Sequence, residues 1–369
     1  MSALPDQPLP ADREQKLDDI RREAERKGLV SDKGIRPADA PIPRASEETG
    51  YYGIPMLKEP QWKWEIPIYF FVGGAAGSAA YIGAMADWIG DDYKLARDAR
   101  WVALGGVGLS SALLIADLGR PARFLNMLRV FKLQSPMSVG AWTLAAFGSM
   151  ATASAFAKAV QARWNNLPVR IVANLAQAGS AALGLPFHNY TGVLVGATVI
   201  PAWNKNIDTL PIHFGMSGVQ AACSILELAG HSDSRALNLL AMMSTAWETY
   251  EGINLETRLE RELRPLKRGT SGWITRAGGV LSGPLPLTLR LLAAFSSGHR
   301  SRRIRKWAAI SGIAGSLLTR YGWVQAGHAS ARDWRLPLEI PDQTAAKELT
   351  ANEELPPQTA TSSTTEKLA

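Results

Sequence analysis

The sequence predicts an all-α, polytopic integral membrane protein with about eight transmembrane helices. The first observation is that the mean hydropathy of −0.05 for this 369-residue chain averages two different populations. Residues 1–60 and 331–369 are polar and rich in proline, whereas the middle of the chain consists of long uncharged runs. The second observation is that these runs are close to the ~20 apolar residues with which a helix crosses a bilayer.

The first 60 residues are predicted to be a polar, partly disordered tail. No apolar stretch follows Met1, so we expect no signal peptide. Residues 11–28 have the charged pattern of one short helix, and several prolines between positions 37 and 55 interrupt regular structure. A solvated extension and a docking arm are both compatible with this composition.

The first predicted span is Ile66–Trp88, which contains no lysine or arginine. Trp62, Trp64 and Trp88 flank it, as expected of aromatic side chains at the two membrane interfaces. The small residues at 73–80 (GGAAGSAA) would let neighbouring helices approach closely in lipid. A phosphate-binding glycine loop is excluded, because no strand precedes this run and no suitably placed basic or hydroxyl ligand follows it.

Three more spans are predicted at Ala99–Ala116, Met137–Ala157 and Ile171–Trp203. The last of these has no charged residue over 33 positions, which exceeds the ~20 residues of a perpendicular span. We expect one long helix kinked at Pro186, rather than two helices separated there.

The remaining spans are predicted at Leu210–Gly230, Leu237–Leu255, Trp273–Phe295 and Trp307–Gly327. Eight spans place both chain ends on one side of the membrane. Lysine and arginine residues are nearly balanced between the two sides, so the positive-inside rule leaves the orientation open. Residues 331–369 show no apolar periodicity and are predicted to be a disordered C-terminal tail.

Charged residues within the later spans are candidates for a proton pathway. Glu248 and Glu251 are three positions apart and therefore share one helix face. Carboxylates at membrane depth usually face the interior of the protein, where proton relay and structural hydrogen bonding are the two roles open to this pair. Arg320, near the end of the last span, would be a natural counter-charge.

The loop between the second and third spans is basic and bounded by proline. It carries Arg120, Arg123, Arg129 and Lys132, which would contact either an acidic partner protein or lipid head groups. Asp117, at the end of the preceding span, is either paired with a loop arginine or a proton exit. The net charge of +7 is better explained by head groups near these loops than by nucleic acid.

Cysteine and histidine usage limits the cofactors of this chain. The only cysteine is Cys223 and the five histidines are scattered. We therefore expect no disulfide, metal site or iron–sulfur cluster, and no haem, although a pair of histidines leaves a bis-histidine haem as an alternative.

Several motifs together resemble the NrfD/PsrC family, the quinol-interacting membrane subunits of respiratory oxidoreductases. Trp62-x-Trp64-x-Ile66-Pro67 resembles the opening of the family's first helix, and Asp117-Leu118-Gly119-Arg120-Pro121 through Ser135-Pro136-Met137-Ser138 its most specific loop. The remaining matches are Tyr190-Thr191-Gly192 with Pro201-x-Trp203-Asn204, Leu210-Pro211 to Gly218, and Arg320-Tyr321 with Ala326-Gly327. The resemblance covers residues 60–332.

The resemblance implies an architecture and a set of partners. Family members form two four-helix bundles in the bacterial cytoplasmic membrane and hold no redox cofactor of their own. They bind an exchangeable menaquinone or ubiquinone near the surface where a four-cluster, ferredoxin-like iron–sulfur subunit docks. A catalytic subunit, either a molybdoenzyme or a multihaem cytochrome, completes the complex.

The resemblance also implies site residues. Tyr190 matches the family's quinone-contacting tyrosine and could donate one hydrogen bond. Tyr69 lies where some members have polar quinone ligands, although Ile68-Tyr69-Phe70-Phe71 lacks the Asn and His that are usual there. His188 is a further candidate, but it points about 200° away from Tyr190 around a helix, so the two share a ligand only if a kink at Pro186 intervenes.

Two other functions remain open from the sequence. One is a proton-translocating or transporter-like module that uses Glu248, Glu251 and Arg320 without quinone chemistry. The other is a structural anchor that has lost quinone binding, as the missing polar residues of the first span would allow.

Overall fold

Helices form every regular element in the residues that the computed structural model describes, which are 57–118, 124–333, 336–337 and the isolated positions 19, 22, 23 and 26. The chain divides into two units, Met1–Pro55 and Met56–Ala369, and the description below concerns the second. Almost all of the two predicted tails, and Arg120 and Arg123 of the basic loop, lie outside the described residues.

Nine helices of eleven residues or more run back and forth between two ends of the second unit. We call the end that holds the start of the first helix the N-side and the opposite end the far side. The helices are α1 Glu65–Trp88, α2 Tyr93–Asp117, α3 Pro136–Arg163, α4 Leu167–Gly196, α5 Leu210–Leu226, α6 Arg235–Thr257, α7 Gly269–Ser282, α8 Pro284–Ala294 and α9 Gly298–Arg332. Single helical turns at Phe124–Met127, Pro201–Asn204, Arg261–Leu263 and Arg264–Lys267, and a π-helical turn at Glu227–His231, connect them.

Polar capping residues define where four of these helices begin. The side chains of Asp92, Ser135, Asn166 and Ser234 each accept a hydrogen bond from a backbone N–H three residues later, which satisfies a donor that the first helical turn leaves unpaired. Proline in the first turn of α3, α4, α5 and α8 suits helix starts, where its missing N–H costs nothing.

Each of the eight predicted segments contains a long helix, but the structure corrects the end of the fourth segment and the continuity of the seventh. The predicted end of the fourth segment at Trp203 is wrong: α4 continues through Pro186 but ends at Gly196. Ile200 is extended, as expected of a residue before proline, and Pro201 starts a separate turn. The seventh segment is two helices, because Gly283 adopts a non-helical conformation between α7 and α8.

The all-helical prediction is confirmed, and the protein has helices that can cross a membrane. Within the described part of the chain, four helical stretches are long and apolar enough for this by length and composition: Glu65–Trp88, Tyr93–Asp117, Pro136–Arg163 and Gly269–Ala294. Large apolar side chains are exposed on their outer surfaces, as expected in contact with lipid; they include Trp101, Leu109, Phe156 and Val280. That the chain crosses the membrane eight times stays a prediction.

Helix α1 lies at the centre of the packing. It contacts α2, α4, α5 and α9, and small residues bring three of these neighbours close. Gly77 of α1 meets Gly184 of α4, Gly74 meets Gly218 of α5, and Ala76 meets Gly106 of α2. The predicted close approach at residues 73–80 is therefore confirmed, and each contact lacks room for another side-chain carbon.

The other helices pack around α1 in two groups. Helices α1–α4 contact one another, as do α5–α9, while α5 also packs against α1 and α4. This grouping is compatible with two four-helix bundles, which stay a prediction together with the eight spans.

The segment that precedes α1 is attached to the end of α9 on the N-side. Glu59 accepts hydrogen bonds from Arg332 at 2.6 and 3.1 Å and lies 3.0 Å from the Nδ1 atom of His328. The Nε2 atom of His328 lies 3.0 Å from the carbonyl oxygen of Trp62. Trp62 in turn stacks on Trp203, with ring centroids 4.9 Å apart.

We expect Gly77→Ala to destabilise the protein by ~1–3 kcal/mol, because overpacking a tight interface forces backbone shifts. The added carbon would lie 2.7 Å from the carbonyl oxygen of Gly184. Gly105→Ala on α2 is the matched control, since nothing lies within 4 Å of its Cβ position. The measurement is the apparent free energy of unfolding in mixed micelles titrated with dodecyl sulfate; equal values for the two variants would contradict close packing at Gly77.

We expect the contact between Glu59 and α9 to loosen in acid. The hydrogen bond from Arg332, supported by His328, holds the pKa of Glu59 below its usual 4.5. A carboxyl group whose pKa is lowered by folding stabilises the fold above pH ~4.5 and loses that contribution as the pH falls through its folded value. Hydrogen–deuterium exchange of residues 57–64 should therefore increase in acid relative to a Glu59→Gln variant, which should exchange rapidly already at pH 7. Identical exchange in both proteins at pH 7 would contradict this contact.

Candidate functional site

Tyr190 connects α4 to the end of the basic loop. Its hydroxyl donates a hydrogen bond to the carbonyl oxygen of Pro136, the first residue of α3. Its ring lies so close to Gly140 that no side chain could be accommodated there. The tyrosine and the loop motif, which are far apart in sequence, therefore meet on the N-side.

The residues of the motif Ser135-Pro136-Met137-Ser138 explain how the loop is held. The Oγ atom of Ser135 caps α3 by accepting a hydrogen bond from the backbone N–H of Ser138 at 3.3 Å. The Oγ atom of Ser138 donates to the carbonyl of Val130 and accepts from the backbone N–H of Lys132, both at 3.1 Å. The loop is thereby folded back over the start of the helix that Tyr190 contacts.

The structure brings Tyr69 near Tyr190 but directs His188 elsewhere. The Tyr69 side chain is buried beside Phe70, with ring centroids 5.6 Å apart, and it lies within electrostatic range of Tyr190. The His188 ring packs on Tyr81 of α1 at 5.4 Å, and its Nδ1 atom lies 2.5 Å from the carbonyl of Leu185. This agrees with the helical geometry, since α4 is continuous through Pro186.

Three other predicted site residues lie on the N-side. Asp117, the last residue of α2, is partly buried and within electrostatic range of Lys63 and Glu65 at the start of α1. Arg129 and Lys132 are exposed. The predicted pairing of Asp117 with Arg120 or Arg123 stays untested, because both arginines lie outside the described residues.

Arg320 is fully buried and is held mainly by neutral groups. It donates hydrogen bonds to the hydroxyls of Ser217 at 2.6 Å and Ser316 at 2.8 Å, and to the carbonyl of Phe214 at 2.9 Å. Its guanidinium lies 5.2 Å from the centre of the Phe214 ring. These hydrogen bonds go to neutral groups rather than to Glu248, and the role of Arg320 as a counter-charge stays a prediction.

Glu248 lies beside a histidine that the sequence analysis did not select. Its Oε2 atom accepts a hydrogen bond from Ser282 at 3.0 Å, and its Oε1 atom has no hydrogen-bond partner. The Nδ1 atom of His213 lies 3.6 Å from that oxygen, which is too long for a hydrogen bond. Both ring nitrogens of His213 are buried without a partner.

Glu248 and His213 line a cavity of ≈ 510 Å³ on the N-side of the second group of helices. Glu251 contributes to the same wall, as the shared helix face predicted, but it is only partly buried. The apolar part of the lining comes from Leu210, Ile253, Leu255, Val280, Pro284 and Trp323. A volume of this size is within the ~300–1,000 Å³ of small-molecule pockets.

A buried ion pair on the far side has a different character. Arg290 of α8 donates to Glu227 at 2.5 Å, and both side chains are almost fully buried. Near the same end, Lys158 donates to Asp87 at 2.7 Å and to Asn174 at 2.8 Å. Both clusters pair opposite charges, which is how buried charges are tolerated in lipid, although the Oε2 atom of Glu227 and the Nε and Nη2 atoms of Arg290 have no hydrogen-bond partner.

His213 and Arg290 were not identified from the sequence as members of buried clusters. The available signal for Arg290 was a cation in an otherwise apolar segment, which requires a partner. His213 gave a weaker signal, because a single histidine near the start of a helix is common. In the described residues, no three His, Cys, Asp or Glu side chains are grouped as metal ligands would be.

Comparison with known proteins gives one positive finding. The family model described as polysulphide reductase, NrfD, matches residues 54–247. This range is more than half of the chain and contains α1–α5, the loop motif and Tyr190. A search of curated protein sequences returned no match. With its membrane-type helices, this protein belongs to the NrfD family, whose members are membrane subunits of quinone-linked oxidoreductases.

Proposed function

We propose that this chain exchanges electrons between a membrane quinone or quinol and an iron–sulfur partner subunit. In this proposal it is a multi-pass protein of the bacterial cytoplasmic membrane, with eight spans in two four-helix bundles. Menaquinone or ubiquinone is its exchangeable substrate, and the complex includes a ferredoxin-like four-cluster subunit and a catalytic subunit of the molybdoenzyme or multihaem type. Family membership supports the quinone linkage.

The observation that carries the proposal is the contact between Tyr190 and the loop motif. Because the Tyr190 proton is donated to Pro136, the hydroxyl oxygen retains lone pairs that can accept a hydrogen bond from a quinol. The expectation that Tyr190 donates a hydrogen bond to the ligand stays a prediction. Tyr69 provides a second phenol nearby, whereas His188 faces other helices and would support the site only indirectly.

The partner surface in this proposal is the basic loop beside Tyr190. Arg129 and Lys132 are exposed there, and Arg120 and Arg123 belong to the same loop in sequence. An acidic iron–sulfur subunit would be attracted to these cations. Electron transfer requires the quinone and the partner's clusters to be near each other, and the contact between Tyr190 and the start of α3 supports such an arrangement.

Quinol oxidation releases two electrons and two protons, so a proton route is also needed. We assign Asp117 to proton release on the N-side, because it ends α2 beside the start of α1. Glu248, Glu251 and Arg320 form a second set of candidate proton groups, with Glu248 buried and Glu251 nearer the surface of the same cavity.

That second set also favours one alternative function. A buried carboxylate, an arginine and an unpaired histidine beside a cavity are the kind of groups that proton-translocating or transporter-like modules use. This alternative requires neither Tyr190 nor the basic loop, and it therefore makes a different prediction for a Tyr190 variant.

We expect Tyr190→Phe to reduce quinol-linked electron transfer to the iron–sulfur partner at least tenfold. The complex should be isolated in mild detergent, its subunits identified by mass spectrometry, and its iron and molybdenum quantified. Tyr250→Phe is the matched control, because Tyr250 is 59% exposed on α6. Unchanged turnover in Tyr190→Phe would contradict this site, and isolation of a folded, iron-free chain without partners would favour the alternative function.

A further inference from the structure

The wall of the cavity lined by Glu248 and His213 contains buried polar atoms that form no hydrogen bond with the rest of the protein. The Oε1 atom of Glu248 and both nitrogens of His213 are buried without a partner, and the Glu248 side chain is only 1% exposed. Buried polar groups are nearly always hydrogen-bonded. Other buried atoms without a partner lie on Glu227, Arg290 and Arg320, but Glu248 and His213 line a cavity that could hold a ligand. A polar ligand inside this cavity would pair their three atoms.

Charged residues at the cavity's surface side do not supply that partner. Arg276 pairs with Glu256 at 2.7 Å, and Arg258 pairs with Glu260 at 2.9 Å. Because these ions bind one another, they leave the unpaired atoms of Glu248 and His213 available to a ligand, and Glu251 is the further charged group of the wall.

The charges of the cavity wall disfavour an anionic ligand. Glu248 and Glu251 both line the cavity, so an anionic head group would add a further negative charge beside two carboxyl groups. The unpaired atoms belong to a carboxyl group and an imidazole, and a neutral head group that both accepts and donates hydrogen bonds could bind both.

The apolar side chains of the lining favour a flat, apolar ligand. Trp323 is 5% exposed and packs against His213, with ring centroids 6.1 Å apart. Ile253 and Val280 line the cavity and are 61% and 53% exposed. Because exposed apolar side chains of this protein face lipid, a ligand tail could leave the cavity between α6 and α7.

We propose that this cavity is a second quinone-class site, separate from the one at Tyr190. The carbonyl or hydroxyl groups of the head bind His213 and Glu248, the ring packs near Trp323, and the tail extends into lipid past Ile253 and Val280. This inference rests on the proposed function for the ligand class, but the site is formed by α5, α6, α7, α8 and α9 rather than by α1, α3 and α4.

A series of aromatic contacts leads from Tyr69 to the cavity. Ring centroids are 5.6 Å apart from Tyr69 to Phe70, 5.9 Å from Phe70 to Phe214, and 5.9 Å from Phe214 to His213. Of these four residues, His213 lines the cavity.

A photolabelling experiment tests the second site. The full-length chain in mild detergent is titrated with an azido-substituted quinone that carries a ten-carbon tail, then irradiated, and the labelled peptides are mapped by mass spectrometry. We expect label in residues 206–213, 248–258 or 275–284, in addition to label near Tyr190. Excess phosphatidylglycerol should not displace it.

A cavity-filling variant provides the control for specificity. Gly279 lines the cavity and has nothing within 4 Å of its Cβ position, so Gly279→Leu should fill the space without a clash. We expect this variant to lose the cavity label and to keep the label near Tyr190. Gly108→Leu, on α2 and equally unobstructed, should keep both. His213→Phe, which preserves the aromatic contacts, should weaken cavity labelling roughly tenfold through loss of buried hydrogen bonds.

The outcomes separate this inference from the proposed function. Label confined to the Tyr190 side would overturn the second site and leave the proposed function intact. Label confined to the cavity would support the second site and contradict the Tyr190 site. Cavity label that persists in Gly279→Leu, or that phosphatidylglycerol displaces, would overturn the second site, as would the absence of any label.

Discussion

The close approach of α1 to its neighbours is the constraint on which the rest of the structure depends. Gly77 and Gly184 place the backbones of α1 and α4 in direct contact, while Gly74 and Gly218 do the same for α1 and α5. In lipid, where apolar side chains gain little by leaving their surroundings, such contacts between small residues are a main source of helix association. They fix the position of α4, and hence the position from which Tyr190 reaches Pro136. They also place Phe214 of α5 against Phe70 of α1.

Charge burial imposes the second constraint. Removing a charge from water is expensive unless the group is paired and hydrogen-bonded. Arg290 with Glu227 and Lys158 with Asp87 form buried ion pairs on the far side, and Arg320 is bound by serine hydroxyls and the carbonyl of Phe214. Each of these arginines still has a buried nitrogen without a partner, as do His213 and the Oε1 atom of Glu248. What distinguishes His213 and Glu248 is that they line a cavity that could hold a ligand.

Much of the fold could be predicted from the sequence, because the patterns that indicate helices and close helix packing are local. Uncharged runs predict the helices, and the run at residues 73–80 correctly predicts tight packing. Two boundaries were wrong for local reasons: Pro201 starts a new turn after Gly196, and Gly283 interrupts the seventh segment. The sites were less predictable. Tyr190 came from a motif, but the use of its proton by Pro136 depends on a contact across 54 positions. His213 could not be selected, because its significance depends on Glu248 and on a cavity lined by five separate helices.

Arg320 connects these observations. It binds the carbonyl of Phe214 at 2.9 Å and lies over the same residue's ring, and that ring contacts Phe70 of α1 and His213 of α5. Its other partners are serine hydroxyls on α5 and α9, whereas Glu248 accepts its hydrogen bond from Ser282. Because the arginine and the carboxyl group bind hydroxyls rather than each other, the Oε1 atom of Glu248 remains an unpaired acceptor beside His213.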